Sequence, residues 1–470
     1  MVRRIILLGV VLVLAAGTLF TGPLPGGIAR ELALGGSTLS PIVGGPNIVL
    51  NPFIVNDPTI ALLNPAYQGK YRDYAWMNLG GGTPMGTNAA DNVYGKQFGG
   101  VNFSFGKELA LGVNLSYDPS FANLVVGNLS SFINSLPEAD RGGRGAQVGL
   151  PPVEVFEAVA STEIGSLDVG FAFLYGWARN TSTSSNSPSL ASTDYKLSAN
   201  VIGFRFGIAM DMGAGMGFDA DAAIRFDNVT DNEDSKNTLG VATNLGDFSG
   251  SATEIQLDGR FHLKMSNRVN FVPYATFVNV SEEPKRDSPP TGITTQLGSA
   301  KRTYMLFALG AGMEYKVNSF YLAGGVSFKT ASQKTEQSTI PPVSTSTSTN
   351  TELSFPQINL GMEFVFTEWL TGRMGYYRAF HSDSYKNEFS ATGVSSTGES
   401  TTAGSNSNVF FGSLAGTDNS LVTLGLGFTF GNFALDATVS EDALRRGLGL
   451  IGSQDNLNTF GYMTASYCFQ

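Results

Sequence analysis

Among its 470 residues this chain has one cysteine, Cys468, and two histidines, His262 and His381. A single thiol excludes any disulfide within the chain. Its neighbours Tyr467 and Phe469 supply no basic activation, so an inert thiol is expected. Two isolated imidazoles and one distant thiol make no ligand cluster, so no metal is expected. His381-Ser382-Asp383-Ser384 offers hydrolase residue types, but adjacent strand positions point to opposite faces and cannot form a triad. No glycine-rich phosphate loop stands at a strand–helix junction. Neither catalysis nor a cofactor is expected. Charge is sparse too, at 14% of residues, and the net charge of -10 disfavours nucleic acid as a partner. Beyond the first 20 residues no run is apolar enough for a membrane helix.

Glycine, at 57 residues, and aromatic side chains, at 11%, are abundant, and a hydrophobic content of 42% excludes disorder. Such a composition without a long apolar run fits an all-β outer-membrane barrel better than a soluble enzyme. Thr253–Met265 shows why. Ile255, Leu257, Gly259, Phe261, Leu263 and Met265 alternate with Glu254, Gln256, Asp258, Arg260, His262 and Lys264. Successive strand side chains point to opposite sides, so this ribbon has oil on one face and ions on the other. Ahead of the strands, Arg3 and Arg4 precede an apolar stretch from Ile5 to Phe20, which reads as an export signal. Small residues at Ala15, Ala16 and Gly17 offer one cleavage point, and Gly27 to Ala29 another.

From Tyr71 onward the pattern is one of hairpins. Leu167, Val169, Phe171, Phe173, Tyr175 and Trp177 form one uniform apolar face, and Val422, Leu424, Leu426, Phe428 and Phe430 another. Short turns are expected near 106–108, 163–165, 211–214, 266–268, 317–319, 367–369 and 431–432, alternating with long connections. Barrels of this class have short periplasmic turns and long external loops, so the rhythm sets the topology. Sixteen strands can be counted; Tyr71–Leu79 is the weakest and Phe433–Val439 is short, which leaves fourteen as the alternative. The Ser/Thr-rich tracts 181–193, 343–351 and 395–407 read as solvated external tips. The final strand, Asn458 to Phe469, is aromatic-rich, the kind of end that outer-membrane assembly machinery recognises.

About forty residues rich in Gly, Pro and Asn precede the first strand. Filling so wide a lumen suits them to a plug, with a flexible periplasmic tail as the alternative. Asp57-Pro58 caps and starts one short helical turn over Thr59–Leu63, ending near Asn64-Pro65. Asp57 through Ala66, with Asn64, Pro65 and Ala66 as its core, resembles the hatch motif of the FadL/TodX outer-membrane transport family. The resemblance implies a 14-stranded barrel, an N-terminal hatch and diffusion of hydrophobic molecules. Tyr67-Gln68-Gly69 departs from the Gly-Leu usual after the motif. PorV-like relatives share the layout and are implied to serve as scaffolds in protein secretion. The expected organisation is a signal over 1–29, a hatch over 30–70 and a barrel of 14–16 strands over 71–470.

Two constellations are candidates for function. Phe121, Val125, Leu129, Phe132 and Leu136 fall at helical spacing before Pro137, a greasy face where a ligand could first meet the barrel or a rim packing surface. Asp168, Asp219, Asp221, Arg225, Glu254, Asp258, Arg260, Lys264, Glu314, Glu363 and Arg373 share the inward phase. They would shape an aqueous path, hold a hatch, or pair with one another across strands. The leading expectation is passive uptake of hydrophobic small molecules of fatty-acid or hydrocarbon type, with membrane lipid around the wall and no defined protein partner. A secretion-associated scaffold and a general porin are the alternatives.

Overall fold

The computed structural model describes residues 27–40, 48–55, 57–80, 97–106, 108–118, 153–186, 191–236, 242–288, 299–339, 344–391, 394–404, 420–439 and 460–469. It opens with a short helix, α1 (Ile28–Ala33), and a small hairpin, β1 (Ser37–Ser40) with β2 (Ile48–Leu50). Two 3-10 helices follow, Pro58–Leu62 and Pro65–Lys70. The wall then runs through β3 (Tyr74–Gly80), β4 (Gln97–Phe105), β5 (Leu109–Asp118), β6 (Val153–Ile164) and β7 (Leu167–Asn186). It continues with β8 (Ala191–Gly213), β9 (Met216–Lys236), β10 (Ala242–Lys264), β11 (Val269–Ser288) and β12 (Ser299–Val317). Next come β13 (Phe320–Thr339), β14 (Ser344–Thr367), β15 (Leu370–Ala391) and β16 (Val394–Gly404). The last three are β17 (Ser420–Phe430), β18 (Phe433–Val439) and β19 (Phe460–Cys468).

All wall pairings are antiparallel, and β19 closes on β3 from Cys468↔Tyr74 to Tyr462↔Gly80. β15 pairs with β17 along its lower half and with β16 only above His381. Among the described residues sixteen strands therefore close the barrel, and β16 is an upward extension rather than a wall strand. That settles the count at the higher of the two expected values. The short turns fall where the hydrophobic phase breaks. At the β12–β13 turn Asn318 adopts φ 48, a left-handed conformation that asparagine tolerates better than most residues.

The two faces of Thr253–Met265 separate as expected. Leu257 is 47% exposed and Phe261 46%, whereas Glu254 is at 0% and Gln256 at 2%. On β8 the outward residues Ile202, Phe204, Phe206 and Met210 are exposed and apolar. Their span, tilted as barrel strands are, covers roughly 20 Å along the barrel axis, near the height of a lipid-facing band. Phe366, Trp369 and Phe430 mark the belt's lower edge, with Trp369 stacked near Phe430. A surface this apolar over a closed wall is one that lipid satisfies and water does not.

Above the belt the sequence reading needs correcting. The tracts 181–193 and 343–351 are not loop tips in their described parts, because β7 runs to Asn186, β8 starts at Ala191 and β14 starts at Ser344. The described part of 395–407 likewise lies in β16. β8 has 23 residues and β14 has 24, about twice what a tilted bilayer crossing requires. Ser and Thr supply no apolar face, but β8 and β14 have a ladder on either side here, and β-branched Thr suits a pleated surface. Ser198 and Thr230 even join hydroxyls across β8 and β9 at 2.7 Å.

Candidate functional site

The N-terminal segment lies against the inner wall, and glycines make its seat. Gly170 on β7 and Gly207 on β8 are cross-strand partners. A side chain at Gly207 would meet Asn64 Cγ and Pro65 Cδ at 2.9 Å, and one at Gly170 would meet the Pro65–Ala66 peptide. Gly312 and Gly325, partners across β12 and β13, receive the ring of Phe53 in the same way. Gly361 and Gly375, partners across β14 and β15, receive Leu34 and Gly35. Three paired notches thus fix three points of one segment.

Hydrogen bonds lock the first notch. Asp57 caps the first 3-10 helix through Thr59 N–H (2.9 Å), and Asn64 caps the second through Ala66 N–H (3.0 Å). The expected single turn is therefore two, each begun by a cap and a proline. Asn64 also donates from Nδ2 to the carbonyls of Ile208 (3.0 Å) and Ala220 (3.2 Å). These two residues are register partners on β8 and β9, so one amide bridges two wall strands.

The inward charges hold the rest of the segment. Arg30 reaches Asp57 at 2.8 Å within the segment and Glu363 at 3.0 Å on β14. Arg373 then bonds Glu363 at 2.7 Å and pairs with Asp436 on β18. Glu314 accepts from Val55 N–H at 2.7 Å and from the Tyr321 hydroxyl at 2.7 Å. Arg260 donates to Ile54 O at 3.0 Å and contacts Asp219, which also accepts from the Tyr67 hydroxyl (3.0 Å) and binds His262. Burial, then the Asp219 carboxylate, drives the Tyr67 hydroxyl far above its ordinary pKa. Glu31 is buried and accepts from Asn51 N–H at 2.7 Å. Its pKa is pushed well up by burial and next by Asp57, against the Asn51 N–H, Arg30 and Arg260.

Asp219, Asp221, Arg225, Glu254, Arg260, Glu314, Glu363 and Arg373 are buried on the inner face, as their phase requires. Asp258 is half-buried beside Gln256. Asp168 is half-buried, with its carboxylate 4.0 Å from Lys70 Nζ. Lys264 departs from the expected set: it is exposed at the last position of β10, where the wall ends and a long cation swings out to water. Phe121, Val125, Leu129, Phe132 and Leu136 lie outside the described residues, as do residues 1–26. Sequence reasoning missed Arg30, Glu31, Asn51, Phe53 and Tyr67. The available signal was glycine recurring in the inward phase of the strands.

Higher on the same strands the inner face carries an apolar cluster, with buried Asp231 and Glu282 at the same level. Counting up β8 from Gly213, Gly207 and Arg205 meet the segment first, then come Val201, Ala199, Leu197 and Tyr195. The last three join Val229, Phe248, Ala252 and Ala300 in one buried apolar cluster. Between the segment and that cluster stands the ion group of Arg225 with Glu254 (2.5 Å) and Asp227 (3.2 Å).

No family model matches this chain, and no curated protein does. Solved structures similar to it include the Ralstonia pickettii toluene transporter TbuX, at 14% identity and TM-score 0.38 over 76% of this chain and 97% of that one. The Pseudomonas putida toluene transporter TodX matches at 10% identity and TM-score 0.31, over 95% and 96% of the two chains. The ferric yersiniabactin uptake receptor FyuA from Yersinia pestis matches at 11% identity and TM-score 0.35, over 85% and 80%.

Proposed function

We propose that this chain is a bacterial outer-membrane transporter that passes hydrophobic small molecules passively, with residues 30–70 as a hatch across the lumen. The observation that carries this reading is the order of layers inside the wall: a bonded segment, then an ion group, then the apolar cluster around Leu197, Val229 and Phe248. A water-filled pore lines itself with polar side chains. An inward apolar cluster instead offers cargo of fatty-acid or hydrocarbon type a surface on which to shed water. Passage would be passive, with the hatch shifting around Asn64-Pro65-Ala66. The short turns would face the periplasm and the tall rim the outside. The aromatic end of β19 suits recognition by the assembly machinery.

Mass spectrometry of lipid bound to the detergent-purified barrel tests the reading, with copurifying proteins identified from the same sample. A bound acyl or hydrocarbon species is expected. Its absence together with a stoichiometric protein partner would overturn the transporter reading in favour of a scaffold.

A further inference from the structure

We infer that the exported chain keeps Gly27 onward, and that its signal is removed at the Ala15-Ala16-Gly17 triplet rather than after Ala29. The inference rests on the inner-wall placement of the N-terminal segment, and it concerns covalent processing rather than cargo. Both triplets satisfy the small-residue requirement for cleavage, so sequence leaves them equal. Packing separates them.

Gly27, Ile28 and Ala29 belong to the fitted part of the fold. Ile28 and Ala29 are buried, and Ala29 N–H donates to Thr464 Oγ1 at 3.2 Å. Gly27 lies so close to Thr464 that a side chain would meet its Cβ and Oγ1 at 3.0 Å. The Gly27 carbonyl accepts from Glu31 N–H at 3.0 Å, which is the first hydrogen bond of α1. Ile28 fills the space beside Pro58, Leu62, Tyr74 and Trp76, where only a small cavity of about 10 Å³ remains.

Cleavage after Ala29 would undo each contact. Thr464 would lose its donor, Glu31 N–H its acceptor, and the cavity would gain the volume of Ile28. Arg30 would become the first residue, setting an α-ammonium at the positive end of α1 beside its own guanidinium. An extra cation buried there is costly, because Asp57 and Glu363 already pair with the guanidinium. Hydrolysis of the Gly17–Thr18 amide by a signal-processing endopeptidase and one water avoids all of this. It releases a Gly17 carboxylate and a Thr18 amine and leaves the seated residues untouched.

N-terminal sequencing and intact mass of the protein purified from the outer-membrane fraction decide the matter. Thr18 is the expected first residue, and Ala16 or Gly17 would place the cut within the same triplet. Any other first residue overturns the inference. Arg30 would do so by showing that the buried contacts are dispensable, and Met1 by removing the export reading itself.

Discussion

At the scale of single residues, the decisive chemistry is a side-chain amide and a missing methyl group. Asn64 makes three hydrogen bonds, two of them to the wall. Asn64→Ala should loosen the segment by about 1–3 kcal/mol, and Asn64→Asp by more, since a buried carboxylate cannot donate to two carbonyls. Gly207→Ala should act in the same direction by pushing on Pro65 from the other side of the contact. Hydrogen exchange is the check: residues 57–71 should lose protection while the β8–β9 ladder keeps it, and equal loss in both would refute a local effect. Glu31 adds a pH dependence. Its folded pKa lies above the ordinary 4.5, chiefly through burial, so the stability it contributes is full below that value and is lost as pH rises through the raised one. Segment protection should therefore fall with rising pH from the ordinary value upward, and Glu31→Gln should remove that dependence. The Asn64-Pro65-Ala66 motif was legible in the sequence because a cap and a proline are local signals. Its glycine seat was not, because Gly170 and Gly207 become neighbours only once the register of β7 and β8 is known.

At the scale of elements, strands with two distinct faces were readable and strands without an apolar face were not. β10 declared itself through alternation of Leu257 with Gln256 and Phe261 with Arg260. The upper part of β14, from Ser344 to Asn350, offers only Ser, Thr and Asn, so no period separates it from a solvated loop. Its strand character comes from its partners: Thr339↔Ser344 through Gln333↔Asn350 on one side and Ser344↔Ala391 through Asn350↔Tyr385 on the other. Paired strands resist proteases that cut loops readily. Trypsin applied to intact cells should therefore spare the exposed Lys196, Lys334 and Lys386, each in a paired stretch above the belt. Rapid cleavage at Lys334 would show that the tall rim is a set of loops, as the composition alone suggests.

At the scale of the whole molecule, outside and inside follow from one alternation. The outer belt of Phe204, Leu257, Phe307 and Leu360 calls for lipid, while the inner face passes from charged seat to apolar cluster. The closed barrel and its lining charges were legible because period-two patterning survives without any knowledge of pairing. The course of the N-terminal segment was not, since its contacts link residues such as Arg30 and Glu363, 333 positions apart. The most direct measurement of the central claim is single-channel conductance in a planar bilayer, comparing the full mature protein with a variant lacking residues 30–66. A closed or scarcely conducting full-length barrel is expected, together with a large, steady conductance after deletion. Equal conductance in the two, with the deleted barrel shown to be folded, would contradict a hatch.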